Sequence, residues 1–418
     1  METIQLSTLF HINEQKWNDT YKTLFNSPLT RVLDFYIHPK DSQRHYQAFF
    51  YYTEELVKIM TSLMENMNEL TRTESQIPSV AIQSFQRACL IEEIKSSNDI
   101  EGVHSSRKEI NKALDEQDNI SFSKTTRLWS IVNKYIKLQN KQNIDFKTSR
   151  DLRKFYDEFI LDEVIRETPQ NIPDGDVFRK DLSEVWSKTK VIHRGVYPEA
   201  KIIENMDKAL SILHNEGIPN LIRVAAYHYL FGYIHPFYDG NGRTSRFITS
   251  YYLSRILSPL VAIRLSITIK KSIRTYYKLF AETNSFANRG DLTPFITGFL
   301  WIIQKSIIRV KDDLKGKQHS LQKYRNCLKS IPGTNNQTTY DICFVLLQAA
   351  LFSKDGATLT EIAQPLAKTE KTINTHIKKL PKEYVLINKT HRAYRFMLNL
   401  KMLPLSLAVT TIEDKNKA

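Results

Sequence analysis

The 418-residue sequence holds only 3 cysteines, Cys89, Cys327 and Cys343, with no C-x-x-C pair among them. That excludes a disulfide framework and a cysteine-built zinc site, and it suits reducing cytoplasm. Glycine (12) and proline (14) are both scarce, which excludes collagen-like and low-complexity chains. No apolar run approaches the roughly 20 residues of a membrane span, so no membrane partner is expected. The opening METIQLSTLFHINEQKW lacks the basic and apolar regions of a secretory signal. Acidic residues are outnumbered, 45 against 59 basic ones, leaving a net charge of +14. Such a balance attracts phosphate-rich partners such as nucleotides or nucleic acid, or simply keeps a protein dispersed. What remains, 41% hydrophobic and 25% charged, is globular composition, with length for two or three domains of roughly 150 residues.

Apolar residues recur at helical spacing along most of the chain, which predicts a mainly α protein. One long amphipathic helix is expected over 41–68, and others over 80–94, 145–165 and 202–216. Residues 221–234 (LIRVAAYHYLFGYI) are apolar nearly all round, the mark of a helix buried at a domain centre. A further helix over 243–257 follows a glycine loop. The stretch SIPGTNNQT at 330–338 reads as a linker. Beyond it come helices at 340–351, 359–366 and 370–380, the last with Thr369 as N-cap. Two short strands, 384–387 and 394–398, surround a turn at 388–392. Three helices and a hairpin in that order outline a winged helix.

The loop at 234–246, IHPFYDGNGRTSR, carries the most chemistry. Pro236 disfavours helix at His235 and places it at the exit of the buried helix. Gly240, Asn241 and Gly242 tolerate left-handed backbone, so successive N–H groups can converge on an anion. A helix N-terminus follows directly and adds positive character. Arg243 and Arg246, three residues apart, can share one face above that nest. Asp239 suits a divalent cation lying between it and phosphate oxygens. His235 has the pKa for general-base work.

This run matches at every specified position H-P-F-x-[D/E]-G-N-G-R-x-x-R, the signature of the Fic (filamentation-induced-by-cAMP) domain family, which it closely resembles. The resemblance implies a helical core with a small β-hairpin flap. It also implies a Mg²⁺-dependent protein adenylyltransferase that moves AMP from ATP to a Ser, Thr or Tyr hydroxyl of a protein, itself included. His235 would then be the base and Asp239 the metal ligand. Gly240, Asn241, Gly242, Arg243, Thr244, Ser245 and Arg246 would form the ATP phosphate site, with Arg246 at the γ-phosphate. Phe237 would pack into the core.

Upstream, S-N-D-I-E-G at 97–102 is similar to the family's inhibitory motif. Ser97 and Glu101 share a helix face, and Gly102 fits the position after the helix. The resemblance implies that Glu101 pairs with Arg246 and holds ATP unproductively. Residues 189–198, TKVIHRGVYP, look like the family's flap, with Val191, Ile192, His193 and Arg194 docking a target strand. Tyr276 and Asn284 are similar in spacing to family residues that contact the nucleoside. Residues 321–418 carry a net charge of +8. Lys371, Thr372, Asn374, Thr375, His376, Lys378 and Lys379 on the third helix, with Lys389, His391, Arg392 and Arg395 on the wing, form a DNA footprint. This part resembles winged helix-turn-helix domains of bacterial Fic proteins, and a protein-binding module is the alternative. The expected organisation is therefore an N-terminal helical region at 1–120 with an inhibitory helix near 90–102. The catalytic core follows at 121–315, and the winged helix at 338–410. A homodimer controlling the inhibitory helix is a further expectation. Competing functions are a DNA-binding regulator that senses nucleotide, a de-AMPylase, and a transferase using another nucleotide.

Overall fold

A computed structural model describes residues 5–39, 42–117, 127–187, 190–353, 355–389 and 393–404. Thr189 of the expected flap and His391 and Arg392 of the expected wing lie outside these described residues. The chain begins with α1 (Leu6–Ile12) and α2 (Glu14–Phe25), followed by the antiparallel hairpin β1 (Thr30–Ile37) and β2 (Tyr46–Tyr51). Helices α3 (Glu54–Ser75), α4 (Ser79–Ile100), α5 (Arg107–Gln117) and α6 (Trp129–Gln139) come next. Then α7 (Ser149–Tyr156) runs through a π turn at Asp157–Leu161 into α8 (Asp162–Glu167). A second hairpin, β3 (Glu184–Ser187) and β4 (Lys190–Arg194), precedes α9 (Glu199–His214), α10 (Asn220–Ile234) and α11 (Asn241–Ile256). Short helices α12 (Pro259–Ala262) and α13 (Leu265–Lys271) lead to α14 (Ile273–Thr283) and the long α15 (Thr293–Cys327). Last come α16 (Gln337–Phe352), α17 (Leu359–Ala363), α18 (Glu370–Lys379) and the hairpin β5 (Val385–Asn388) with β6 (Arg395–Leu398).

The fold is mainly helical, as the apolar spacing predicts. The expected single helix over 41–68 is a correction: 46–51 form β2, and α3 starts at Glu54 with Thr53 as its cap. Ala48 and Phe50 face the main core while Phe49 packs with Trp17 on the other side. Burial on both faces leaves no period-two signal, so the strand reads as part of the helix that follows.

Helix α10 is the axis of the core. Leu221, Ile222, Tyr227, Leu230, Phe231 and Ile234 are all at most 2% exposed. Each such aliphatic or aromatic side chain contributes about 1.5–3 kcal/mol by leaving water. Helices α9, α11 and α15 pack around it, and α11 also meets α4. The C-terminal helices are not separated from this body. Helix α16 lies against α4 and α15, and their side chains share one apolar core. Thr369 caps α18 by accepting the Thr372 N–H at 3.2 Å. Two expected wing and recognition residues point inward instead. Arg395 is 1% exposed and bonds Asp115 and Glu361. His376 Nδ1 lies 2.9 Å from the Thr339 hydroxyl of α16.

Candidate functional site

Helix α10 ends at Ile234, and His235 takes a left-handed backbone (φ 53°) that Pro236 then directs away. The turn is closed by Asn241. Its amide accepts the Phe237 N–H at 2.9 Å and donates to the Phe237 carbonyl at 2.7 Å. Phe237 is fully buried and stacks on Tyr156 at 3.7 Å. Tyr156 in turn donates to the Asp239 carbonyl at 3.1 Å. Only Gly240 in the Gly-Asn-Gly run has positive φ (77°), because Asn241 and Gly242 already belong to α11. The anion cradle is thus less a left-handed nest than the open end of a helix, whose first N–H groups lack intrahelical acceptors.

Glu101 sits over that end. A Cβ on Gly242 would lie 2.1 Å from the Glu101 Oε1, so the carboxylate fills the space that glycine leaves. Glu101 accepts from Arg246 Nη1 at 2.7 Å. Ser97 accepts from the same guanidinium twice, through its hydroxyl at 3.1 Å and its carbonyl at 2.8 Å. Arg246 is 1% exposed, and the neighbouring carboxylate holds its pKa above the ordinary arginine value against the pull of burial. Gly102, at φ 75°, ends α4 as the sequence predicts.

Arg243 turns elsewhere. It bonds the buried Glu163 at 2.8 Å and Asp239 at 3.4 Å, so the two loop arginines serve different carboxylates. Burial pushes Glu163 above the usual carboxylate range despite Arg243 and Arg127 beside it. Asp239 also accepts from the Gly240 N–H and from the Thr168 hydroxyl at 3.1 Å. Thr244 is fully buried, and the Ser245 hydroxyl faces His228 rather than the cradle.

His235 is pushed down to about 3 by burial, with His193 and Arg179 nearby adding to the shift. Its imidazole is therefore neutral at pH 7. Arg179, which no motif announces, holds the backbone here. It donates to the His235 carbonyl at 3.0 Å, to Val196 O at 2.8 Å and to Asp181 O. Glu163, Thr168 and Tyr156 escaped the sequence reading for the same reason: each supports the loop from over 70 residues away.

The hairpin β3–β4 stands beside His235. Gly195 lies against it, since a Cβ there would come within 3.1 Å of the His235 Cβ. Val191 and Ile192 lie on β4, Ile192 being 47% exposed. His193 donates to the Tyr233 carbonyl at 2.6 Å, and Arg194 bonds Glu184 at 3.0 Å. A groove of about 630 Å³ opens along this hairpin, with His193, Gly195, Tyr233 and Tyr36 in its wall. Tyr276 is 6% exposed with its hydroxyl 2.8 Å from His228 Nε2, and Asn284 accepts from Tyr229 at 2.7 Å. Both are tied into the α10–α14 packing behind the loop.

Residues 148–253 match the Fic/DOC family. The protein adenylyltransferase Fic of Drosophila ananassae is 34% identical over 97 residues, which is 23% of this chain and 18% of that protein. The Drosophila melanogaster protein of the same name gives the same figures. The chain thus spans less than a fifth of the length of the curated relatives it matches. A Fic family protein from Desulfovibrio desulfuricans G20 shares the fold at 18% identity and a TM-score of 0.50, covering 84% of this chain and 98% of that one.

Proposed function

The chain carries a Fic domain, and on that premise we propose that it is a protein adenylyltransferase restrained by Glu101. The observation that carries this reading is the anion cradle at the start of α11, with Arg246 over it and a neutral imidazole in the same loop. ATP is the donor, and a Ser, Thr or Tyr hydroxyl of a protein, this one included, is the acceptor. The hydroxyl oxygen forms a bond to the α-phosphorus, the bond to the β-phosphate oxygen breaks, and pyrophosphate leaves. His235 accepts the hydroxyl proton. Its low pKa rises when phosphate charge lies beside it. Catalysis of this kind is mostly positioning and charge stabilisation.

Asp239 is the residue that would hold Mg²⁺. Among the described residues no cluster of three metal-binding side chains exists, so the remaining ligands would be phosphate oxygens and water. The lone, partly exposed carboxylate fits that donor set. A bound Mg²⁺ supplies neutralisation of phosphate charge.

Glu101 blocks the reaction by occupying the cradle and its arginine. Replacing Glu101 with Gly is expected to raise self-labelling by ATP at least tenfold, and His235→Ala to abolish it. Intact-mass spectrometry after incubation with Mg²⁺ and each nucleotide reads both. A mass gain of one nucleotide monophosphate identifies the donor, and equal labelling of wild type and Glu101→Gly would sink the restraint.

For the C-terminal unit the reading is a winged helix that binds DNA. Support comes from Lys371, Lys378 and Lys379 exposed on α18, with Lys382 and Lys389 nearby. Binding of duplex DNA by the full chain should be measurable at low salt and fall steeply as salt rises. Anisotropy titrations showing no binding at low salt would remove it.

A further inference from the structure

Three of the acceptors on Arg246 come from the end of α4: the Ser97 hydroxyl, the Ser97 carbonyl and Glu101. A cradle that is to receive phosphate must release Glu101, and the guanidinium then needs a holder that does not travel with α4. Tyr276, on α14, stands beside the same guanidinium, whose charge pulls the phenol pKa down against its burial.

The protons of this network can be assigned from its geometry. The Thr249 hydroxyl donates to the Ser245 carbonyl at 2.9 Å. A hydroxyl has one proton, so toward His228 Nδ1, 2.8 Å away, Thr249 can only accept. With Thr249 accepting, the hydrogen sits on Nδ1, and the Ser245 hydroxyl 3.1 Å away is a second acceptor for it. His228 is wholly buried, and burial with the Arg246 charge pushes it down to about 3, so the ring is neutral. Its Nε2 is a bare lone pair and takes the Tyr276 O–H at 2.8 Å. Having spent its proton there, Tyr276 turns lone pairs toward Arg246. The imidazole cannot rotate freely, because it lies flat on Phe299 at 4.4 Å and 16°.

We propose that His228 and Tyr276 are positioning residues that keep Arg246 aimed at the terminal phosphate of the nucleotide once Glu101 withdraws. The inference rests on the function proposed above for the role of Arg246. His228 sets the direction of the phenol proton, and the phenol oxygen sets the guanidinium.

The test uses the full chain in the Glu101→Gly background. ATP and ADP affinities are measured by calorimetry, alongside KM and kcat for self-labelling. Losing the polar partner of a charged group is expected to weaken ATP binding by about tenfold or more in Tyr276→Phe and His228→Ala. ADP, which has no terminal γ-phosphate, should change less than about twofold on the same argument. His228→Gln, whose amide both accepts and donates, should restore much of the ATP affinity. Equal losses for ATP and ADP, or an unchanged ratio in Tyr276→Phe, would overturn the proposal. Should His228→Ala fail to fold, Tyr276→Phe decides, since it removes a single oxygen. An altered ATP:ADP ratio without any labelling would leave this inference standing and remove the transferase reading.

Discussion

Gly242 matters for what it lacks: any side chain there would collide with the Glu101 carboxylate. Two histidines near it are neutral for the same physical reason, exclusion from water. His228 and His235 are both pushed down to about 3, whereas in an unfolded chain each titrates near 6.5. Because the folded pKa lies below the unfolded one, the stability they contribute is whole above about pH 6.5 and is lost as pH falls toward 3. Each can account for about 1.4 kcal/mol per pH unit across that window. His228→Gln does not titrate, so its melting temperature should fall less steeply between pH 6.5 and 4 than that of the parent. Circular dichroism melts across this range check it, and identical slopes would show that His228 is not held neutral. Glu93, pushed up to about 7 by burial, acts with the opposite sign and is the same in both proteins.

At the scale of elements, the hairpin β5–β6 is fastened to α5 by Arg395. This buried guanidinium bonds Asp115 at 2.9 Å and Glu361 at 3.2 Å, and Arg87 of α4 reaches the same Asp115 at 2.6 Å. Replacing Arg395 with Ala is expected to cost about 2–3 kcal/mol, the value of hydrogen bonds to charged groups left unmade. Urea unfolding monitored by tryptophan fluorescence measures the loss, and a cost below 0.5 kcal/mol would mean the fastening is idle. Such long-range partners explain how far the sequence could be read. The loop at 235–246 was legible because its turn chemistry is local: Pro after His, glycine at a left-handed position, arginines at helical spacing. The apolar wheel of α10 and the cap of α18 were legible likewise. Arg395, by contrast, looked like a surface cation in a basic segment, and nothing within 280 residues of Asp115 announces their bond. Strand β2 was hidden because both of its faces are buried.

On the scale of the whole molecule, the boundary suggested by the Pro-Gly linker near 330 is one of chain path more than of packing. Helix α16 continues the core that α4 and α15 build, and Arg395, Asn111 and Arg107 carry polar contacts across the same junction. Helix α4 therefore belongs to both halves. Its first turns lie near α16, and its last residues, Ser97 and Glu101, hold Arg246. At 22 residues it is about 33 Å long. A helix of that length can act as a lever that ties its near end to its far end. Reciprocity then follows from thermodynamics alone. A molecule that gripped the C-terminal unit more firmly in one seating of α4 than in another would alter, by some factor, the hold on the nucleotide proposed above, and the nucleotide would return that factor in full.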